Sequence, residues 1–255
     1  MQFEEKEEGG FKYIEYGEGE VLMLLHGLFG ALSNFKHILE KFSKRYKVVI
    51  PLLPIFELPV LNSTVKGLVK HVEKFVEHKK FNNMIILGNS LGGHVAQLYT
   101  LANQDKVRAL ILTGSSGLYE NTFGGSFPKR GNYEFIKHKT ELTFYKPETA
   151  SKELVDEVFE ICNNNAKAIR VLNMARSAIK ENLAKDVPNI HQPTLLIWGK
   201  QDTITPPEVA TEFNRLIPNS TLKWVDECGH APMMEKPEEF NNYLDEFLTN
   251  LNNAA

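Results

Sequence analysis

Ser90 lies in the run Gly88-Asn89-Ser90-Leu91-Gly92-Gly93, directly after the apolar stretch Met84-Ile85-Ile86-Leu87 and before a helical pattern through Val95, Leu98, Tyr99 and Ala102. A serine on a sharp turn between a buried strand and a helix presents its hydroxyl at the edge of a sheet. The flanking glycines let the two backbones approach closely enough to make that turn. The same turn sets the serine at a helix N-terminus, where unpaired N–H groups favour negative charge developing on a bound group. The chemistry implied is nucleophilic attack on a carbonyl. Taken alone, Gly-x-Ser-x-Gly is a weak signal, because glycine and serine fill ordinary turns. Its place between strand and helix makes it a strong one.

A serine hydroxyl is a poor nucleophile near neutral pH, so a base must take its proton and a third group must hold that base in one tautomer. The last third of the chain offers both. The apolar run Thr194 to Trp198 is followed by Gly199-Lys200-Gln201-Asp202, and Thr221 to Val225 is followed by Asp226-Glu227-Cys228-Gly229-His230. Asp202 and His230 therefore each sit on a loop just past a strand, on the side where Ser90 emerges. One loop histidine among eight is usually surface decoration, and one loop aspartate often caps the next helix. The order Ser, Asp, His, with each residue just past a buried strand, leaves little room for coincidence. Leu25-His26-Gly27-Leu28-Phe29-Gly30 follows a further apolar strand. Its glycines allow a turn that points an N–H toward the serine. The Leu28 and Leu91 amides are the expected donors to an oxyanion, with Phe29 the weaker alternative to Leu28. His26 is read as a structural imidazole bonded within its loop.

The elements that must position these groups are strands alternating with helices. Strands are expected over Phe11 to Tyr16, Val21 to Leu25, Lys47 to Leu52, Met84 to Leu87, Val107 to Thr113, Thr194 to Trp198 and Thr221 to Val225. Val21-Leu22-Met23-Leu24-Leu25 is apolar at every position, as a strand buried on both faces must be. Val65, Leu68, Val69, Val72, Phe75 and Val76 share one helical face. Phe240, Tyr243, Leu244, Phe247, Leu248 and Leu251 repeat that pattern behind Pro237. Such alternation predicts a mostly parallel sheet covered on both faces. It is interrupted between Gly117 and Pro188, where the sequence is helical. One stripe runs through Leu154, Val155, Val158, Phe159 and Cys162, another through Ile169, Leu172, Arg176, Ile179 and Leu183. The division expected is a core of residues 1–116 and 189–255 with a helical insertion at 117–188, because a structureless loop of that length does not suit a compact domain.

Composition excludes several classes. With 29 basic and 32 acidic residues the net charge is -3, which gives a nucleic-acid backbone nothing to bind. No apolar run reaches the roughly 18 residues of a membrane helix, and Met1 to Glu8 is acidic rather than a leader, so a soluble, cytoplasmic protein is expected. Two cysteines, Cys162 and Cys228, are too few for a disulfide framework. His71 and His78 are spaced too far apart along one helix to share a metal, and no cofactor signature appears. The expected partner is a small molecule, an apolar ester, without metal or cofactor. Phe29, Phe123, Phe127 and Phe144 are the candidate pocket wall, although aromatic residues of an insertion mostly serve its own core.

His26-Gly27, the Gly88 to Gly92 turn, Gly199 to Asp202, Gly229-His230 and the helical insertion together resemble the α/β-hydrolase superfamily over essentially the whole chain. The resemblance implies that fold, with Ser90 as nucleophile, His230 as base, Asp202 as acid, the Leu28 and Leu91 amides as oxyanion hole, and residues 117–188 as a cap. A serine at position 90 sets the chain apart from the dehalogenase and epoxide hydrolase branches, which need a carboxylate there. The implied reaction is hydrolysis of a small or medium carboxylic ester through an acyl-enzyme. Gly88 to His94 is also similar to the carbon–carbon hydrolases of meta-cleavage products. Those enzymes carry a tryptophan after the histidine, where this chain has Ala231, and a cap arginine, for which Arg170 or Arg176 is available. Pro51-Leu52-Leu53-Pro54 stands where many members have Asp-x-Pro-Gly. A third reading, from another class, is a ligand sensor that keeps the triad for slow chemistry, since similar folds serve as receptors.

Overall fold

In a computed structural model the chain is described over residues 4–29, 33–120 and 129–253. It opens with an antiparallel pair, β1 (Lys6–Glu8) and β2 (Phe11–Tyr16), then β3 (Val21–Leu25), α1 (Lys36–Phe42) and β4 (Lys47–Pro51). Next come α2 (Val65–Lys79), β5 (Met84–Asn89), α3 (Leu91–Ala102) and β6 (Val107–Thr113). Three helices, α4 (Tyr133–Glu141), α5 (Lys152–Asn163) and α6 (Asn165–Lys180), precede β7 (Thr194–Gly199). The chain closes with α7 (Pro207–Leu216), β8 (Ser220–Val225), a short α8 (Pro232–Glu235) and α9 (Pro237–Asn253).

The strands form one eight-stranded sheet in the order β1-β2-β4-β3-β5-β6-β7-β8. β1 and β2 pair antiparallel with their neighbours, and every pairing among β3 to β8 is parallel. Parallel strands send all their C-terminal ends to one edge. The chain moves outward from β3 to β4 and then returns to place β5 on β3's other side, so the order reverses there. That reversal opens a crevice beyond the carboxyl ends of β3 and β5. The turn after β3 carries Leu28, and the turn after β5 carries Ser90.

Alternation along each buried strand divides the core. Val21, Met23 and Leu25 of β3 face the layer of α2, α3 and α7, whereas Leu22 and Leu24 face α1, α8 and α9. The apolar face of α2 is the one read from the sequence: Val65, Leu68, Val69, Val72, Phe75 and Val76 are all buried. Its first turn is closed by the Thr64 side chain, which accepts from the Gly67 amide at 3.0 Å, a cap worth about 1 kcal/mol. Phe240, Leu244 and Leu248 of α9 are fully buried, with Tyr243, Phe247 and Leu251 packed at their margin. No helix among the described residues is long and apolar enough to cross a membrane.

Two details differ from the sequence reading. β1 lies in the acidic N-terminal segment and is exposed throughout, so its three residues carry no hydrophobic alternation to announce a strand. In α6 the core-facing stripe is Val171, Met174 and Ala178. Ile169 and Ile179, expected on the inner face with Leu172 and Arg176, are 48% and 59% exposed. Leu172, Arg176 and Ile179 instead border a cavity, and apolar residues lining a cavity repeat with the same period as residues filling a core.

Candidate active site

The serine sits on a strained turn. Ser90 has φ 55° and ψ -121°, a conformation disfavoured for a residue with a Cβ, which costs of order 1–3 kcal/mol and persists only where surrounding structure enforces it. Enforcement comes from both sides. The Ser90 amide donates to Thr113 O at 3.1 Å, and the Ser90 carbonyl accepts from Gly93, His94 and Ser116. A Cβ at Gly92 would stand 2.0 Å from Leu25 O, and one at Gly88 would stand 2.5 Å from Gly93 Cα. The glycines are there because β3, β5 and α3 converge at this point. The Ser90 hydroxyl makes no capping bond to its own helix.

Across the sheet edge, His230 is 6% exposed and Asp202 3%. His230 Nδ1 lies 2.9 Å from Asp202 Oδ2 and 3.2 Å from Oδ1. The carboxylate is oriented by its own loop: Oδ1 accepts from the Ile204 and Thr205 amides at 2.8 and 3.0 Å, and Oδ2 accepts from the Thr205 hydroxyl at 2.8 Å. With the Nδ1 proton directed at Asp202, the Nε2 lone pair is left for other work. Nε2 is buried and has no hydrogen-bond partner among the described residues. Burial works against a charged imidazole here, but the Asp202 charge and hydrogen bond, assisted by Glu120 and Glu235, outweigh it and hold the group above its ordinary value.

Ser90 and His230 line one cavity of about 260 Å³, together with Leu28, Phe29, Leu91 and Phe144. Leu91 opens α3, so its amide is among those a helix leaves unpaired. His26 occupies a structural position, as expected. Its Nδ1 donates to Gly27 O and its Nε2 accepts from the Leu53 amide, each at 2.9 Å. Burial pushes its imidazole below the usual value, which keeps Nε2 an acceptor. The Pro51-Leu52-Leu53-Pro54 segment is thereby tied to the turn that carries Leu28.

Phe123 and Phe127 lie outside the described residues. Tyr133 is engaged by α5: its hydroxyl donates to Asp156 at 2.6 Å and its ring meets Phe159 edge-on. Arg170 is engaged by backbone, donating to Leu58 O and Ala166 O at 2.8 and 2.9 Å. Arg176 borders the cavity.

Three polar contributors escaped the sequence reading. Thr205 steadies Asp202. Glu120 borders the cavity, and burial raises its carboxyl while the nearby His230 opposes the shift. Glu235 accepts amides from the histidine loop. An aspartate followed by a threonine three positions later could have suggested the first. Nothing local marks the two glutamates, whose importance comes from what folds against them.

A parallel sheet reversing at β3 and β5, a strained serine at the strand-to-helix turn, and a histidine–aspartate pair at the same edge define an α/β hydrolase. Comparison with known proteins carries this one step further. The chain belongs to the family described as serine aminopeptidase, S33, whose model matches residues 56–237. It is 42% identical to MGS-MChE2, an α/β-hydrolase enzyme from the metagenome of lagoon sediments of Mar Chica, Morocco, whose crystal structure matches with a TM-score of 0.81 over 97% of this chain and 98% of that one. It is 27% identical to 2-hydroxy-6-oxo-6-(2'-aminophenyl)hexa-2,4-dienoic acid hydrolase of Metapseudomonas resinovorans, over 93% of this chain and 87% of that protein. Lipase 3 of Moraxella sp. (strain TA144) is 26% identical over 91% of this chain and 78% of that protein. The protein is a serine hydrolase of the α/β-hydrolase superfamily.

Proposed function

We propose that the protein hydrolyses small or medium carboxylic esters through an acyl-enzyme, with Ser90 as nucleophile, His230 as general base and then acid, Asp202 as the group that orients the imidazole, and the Leu28 and Leu91 amides as the oxyanion hole. The observation that carries this reading is that a buried His230 Nε2 without a hydrogen-bond partner among the described residues and a Ser90 hydroxyl that makes no capping bond to its own helix line one cavity. In the first step the Ser90 Oγ bonds to the ester carbonyl carbon while its proton passes to Nε2. Collapse of the tetrahedral intermediate expels the alcohol, which takes that proton. Water then repeats the sequence on the acyl group and releases the acid. Residues 117–188 act as the cap over this pocket. A cavity of about 260 Å³ lies just below the roughly 300–1,000 Å³ of sites for drug-sized ligands, which favours short acyl groups over long ones.

The test is turnover across p-nitrophenyl esters from acetyl to dodecanoyl, with labelling by a fluorophosphonate. Turnover that peaks among the short and medium chains and is blocked by the label supports the reading. Absence of both labelling and turnover overturns it.

The acidic limb of kcat/KM is expected above the ordinary imidazole value near 6.5. A protonated Nε2 cannot accept the serine proton, so activity falls as pH drops through the raised value. A limb lying clearly below 6.5 would count against His230 as the base.

A second reading is supported by Arg176, which borders the cavity without any hydrogen-bond or ion-pair partner among the described residues and is available to a substrate carboxylate. That suits cleavage of a carbon–carbon bond in an acidic diketone, and one relative bears such a name. Arg176→Gln separates the two. For a neutral ester, kcat/KM should stay within about twofold, because an exposed cation has no charge to pair with on such a substrate. A dienoate diketone hydrolysed by the native protein, with KM raised tenfold or more in the variant, would favour the carbon–carbon reading.

A further inference from the structure

Glu235 stands at the end of α8, five residues beyond His230, and is only partly buried. Its Oε1 accepts from the Gly229 amide at 2.9 Å and, more loosely, from the Ala231 amide at 3.4 Å, so it holds the chain on both sides of the histidine. Its Oε2 accepts from the Tyr145 amide at 2.7 Å. Tyr145 belongs to a strap beyond α4 that also meets the histidine loop directly, since the His230 amide donates to Thr143 O at 2.9 Å. The fit is close: a Cβ at Gly229 would stand 2.7 Å from Thr143 O and 2.9 Å from Tyr145 N. The same strap reaches the acid loop, where the Thr203 hydroxyl donates to Leu142 O at 2.9 Å. Between Thr143 and Tyr145, Phe144 borders the cavity.

Resting on the triad reading above, we propose that Glu235 is a positioning residue for His230, clamping the histidine loop and the 143–145 strap together so that Nε2 is aimed at Ser90 and Phe144 at the substrate. One carboxylate thus couples the general base to the pocket wall. Amide donors on both oxygens call for acceptor lone pairs on both, the pattern of an ionised carboxylate. Burial raises the Glu235 carboxyl, and the Tyr145, Gly229 and Ala231 amides oppose that shift. The other groups around the imidazole are Asp202 on the acid loop and Glu120 on the segment after β6. Beside Glu235 lie the Cys228 thiol, which burial raises and keeps neutral, and Lys236.

The experiment uses the full chain and a p-nitrophenyl ester, with Ser90→Ala as the control for the triad. Glu235→Gln keeps the side chain's size but removes its charge and one acceptor. Its kcat should fall about tenfold to a hundredfold, the range for a small misalignment of reacting groups, and KM should rise with it as Phe144 loses its tie through the Tyr145 amide. The acidic limb should move to lower pH, because a negative charge facing the imidazole is lost. The His230 Nδ1 proton resonance should shift in the same variant. Glu235→Asp keeps the charge but not the reach, so kcat should fall with the limb in place. A folded Glu235→Gln with native kcat and an unmoved limb overturns the proposal, and so does a variant that only melts lower. If Glu235→Gln does not fold, Glu235→Asp decides by its kcat, and native turnover there overturns the proposal. Turnover surviving in Ser90→Ala would instead remove the triad reading itself, whatever Glu235 does.

Discussion

Replacing Ser90 with glycine is expected to abolish ester turnover and, in the same protein, to raise the melting temperature. The hydroxyl is the proposed nucleophile, and in a serine hydrolase its removal costs on the order of 10⁶ in kcat, leaving only what binding and the oxyanion hole supply. The stability change has a different source. At φ 55° and ψ -121° the Ser90 Cβ is in conflict with its own backbone, and glycine relieves that conflict. Against the relief stands the extra freedom glycine brings to the unfolded chain, about 0.5–1 kcal/mol. A net gain of about 1 kcal/mol remains, or roughly 2–4 °C for a chain of this size. Ser90→Ala should lose turnover equally but gain no stability, since alanine keeps the Cβ. Initial-rate assays and thermal melts on the two variants check both halves. Appreciable turnover in either variant would remove Ser90 from its role.

Asp202→Asn is expected to lower kcat about 10⁴-fold with KM little changed. The asparagine oxygen can keep the Ile204 and Thr205 amides that Oδ1 now accepts. That places the NH₂ group where Oδ2 faces the Thr205 hydroxyl and His230 Nδ1. An NH₂ there donates to Nδ1 and drives the ring proton onto Nε2, which removes the lone pair the reaction needs. Exchanging the charged acceptor for a neutral NH₂ beside the Thr205 hydroxyl adds a stability cost of about 1–3 kcal/mol. Steady-state kinetics with a thermal melt separate the two effects. A variant that keeps more than a tenth of native kcat would mean that Asp202 does not set the tautomer.

The serine turn was legible because its requirements are local. Only glycine tolerates the approach of Leu25 O to position 92, and the run Met84 to Leu87 announces the strand before it. Asp202 and His230 were legible through chain order: each lies just past a buried run, and parallel strands deliver the loops at their C-terminal ends to one edge. The α6 stripe was misplaced because helical periodicity reports an apolar face without saying whether a core or a cavity lies opposite. Exposed β1 gave no alternation to read. Of the two arginines on α6, only the fold could show that Arg170 is taken up by the Leu58 and Ala166 carbonyls while Arg176 borders the pocket.

What the sequence determined by itself is the order and type of the elements, and with them the sheet edge at which Ser90, Asp202 and His230 meet. Each of those assignments rests on a hydrophobic period or a turn requirement spanning a few residues. Tertiary structure alone decided which side chains complete the site. Glu235 holds an amide ninety positions away at Tyr145, and Thr203 holds a carbonyl sixty-one positions away at Leu142. Contacts of that kind join loops far apart in sequence through single side chains, so they leave no periodic trace along the chain.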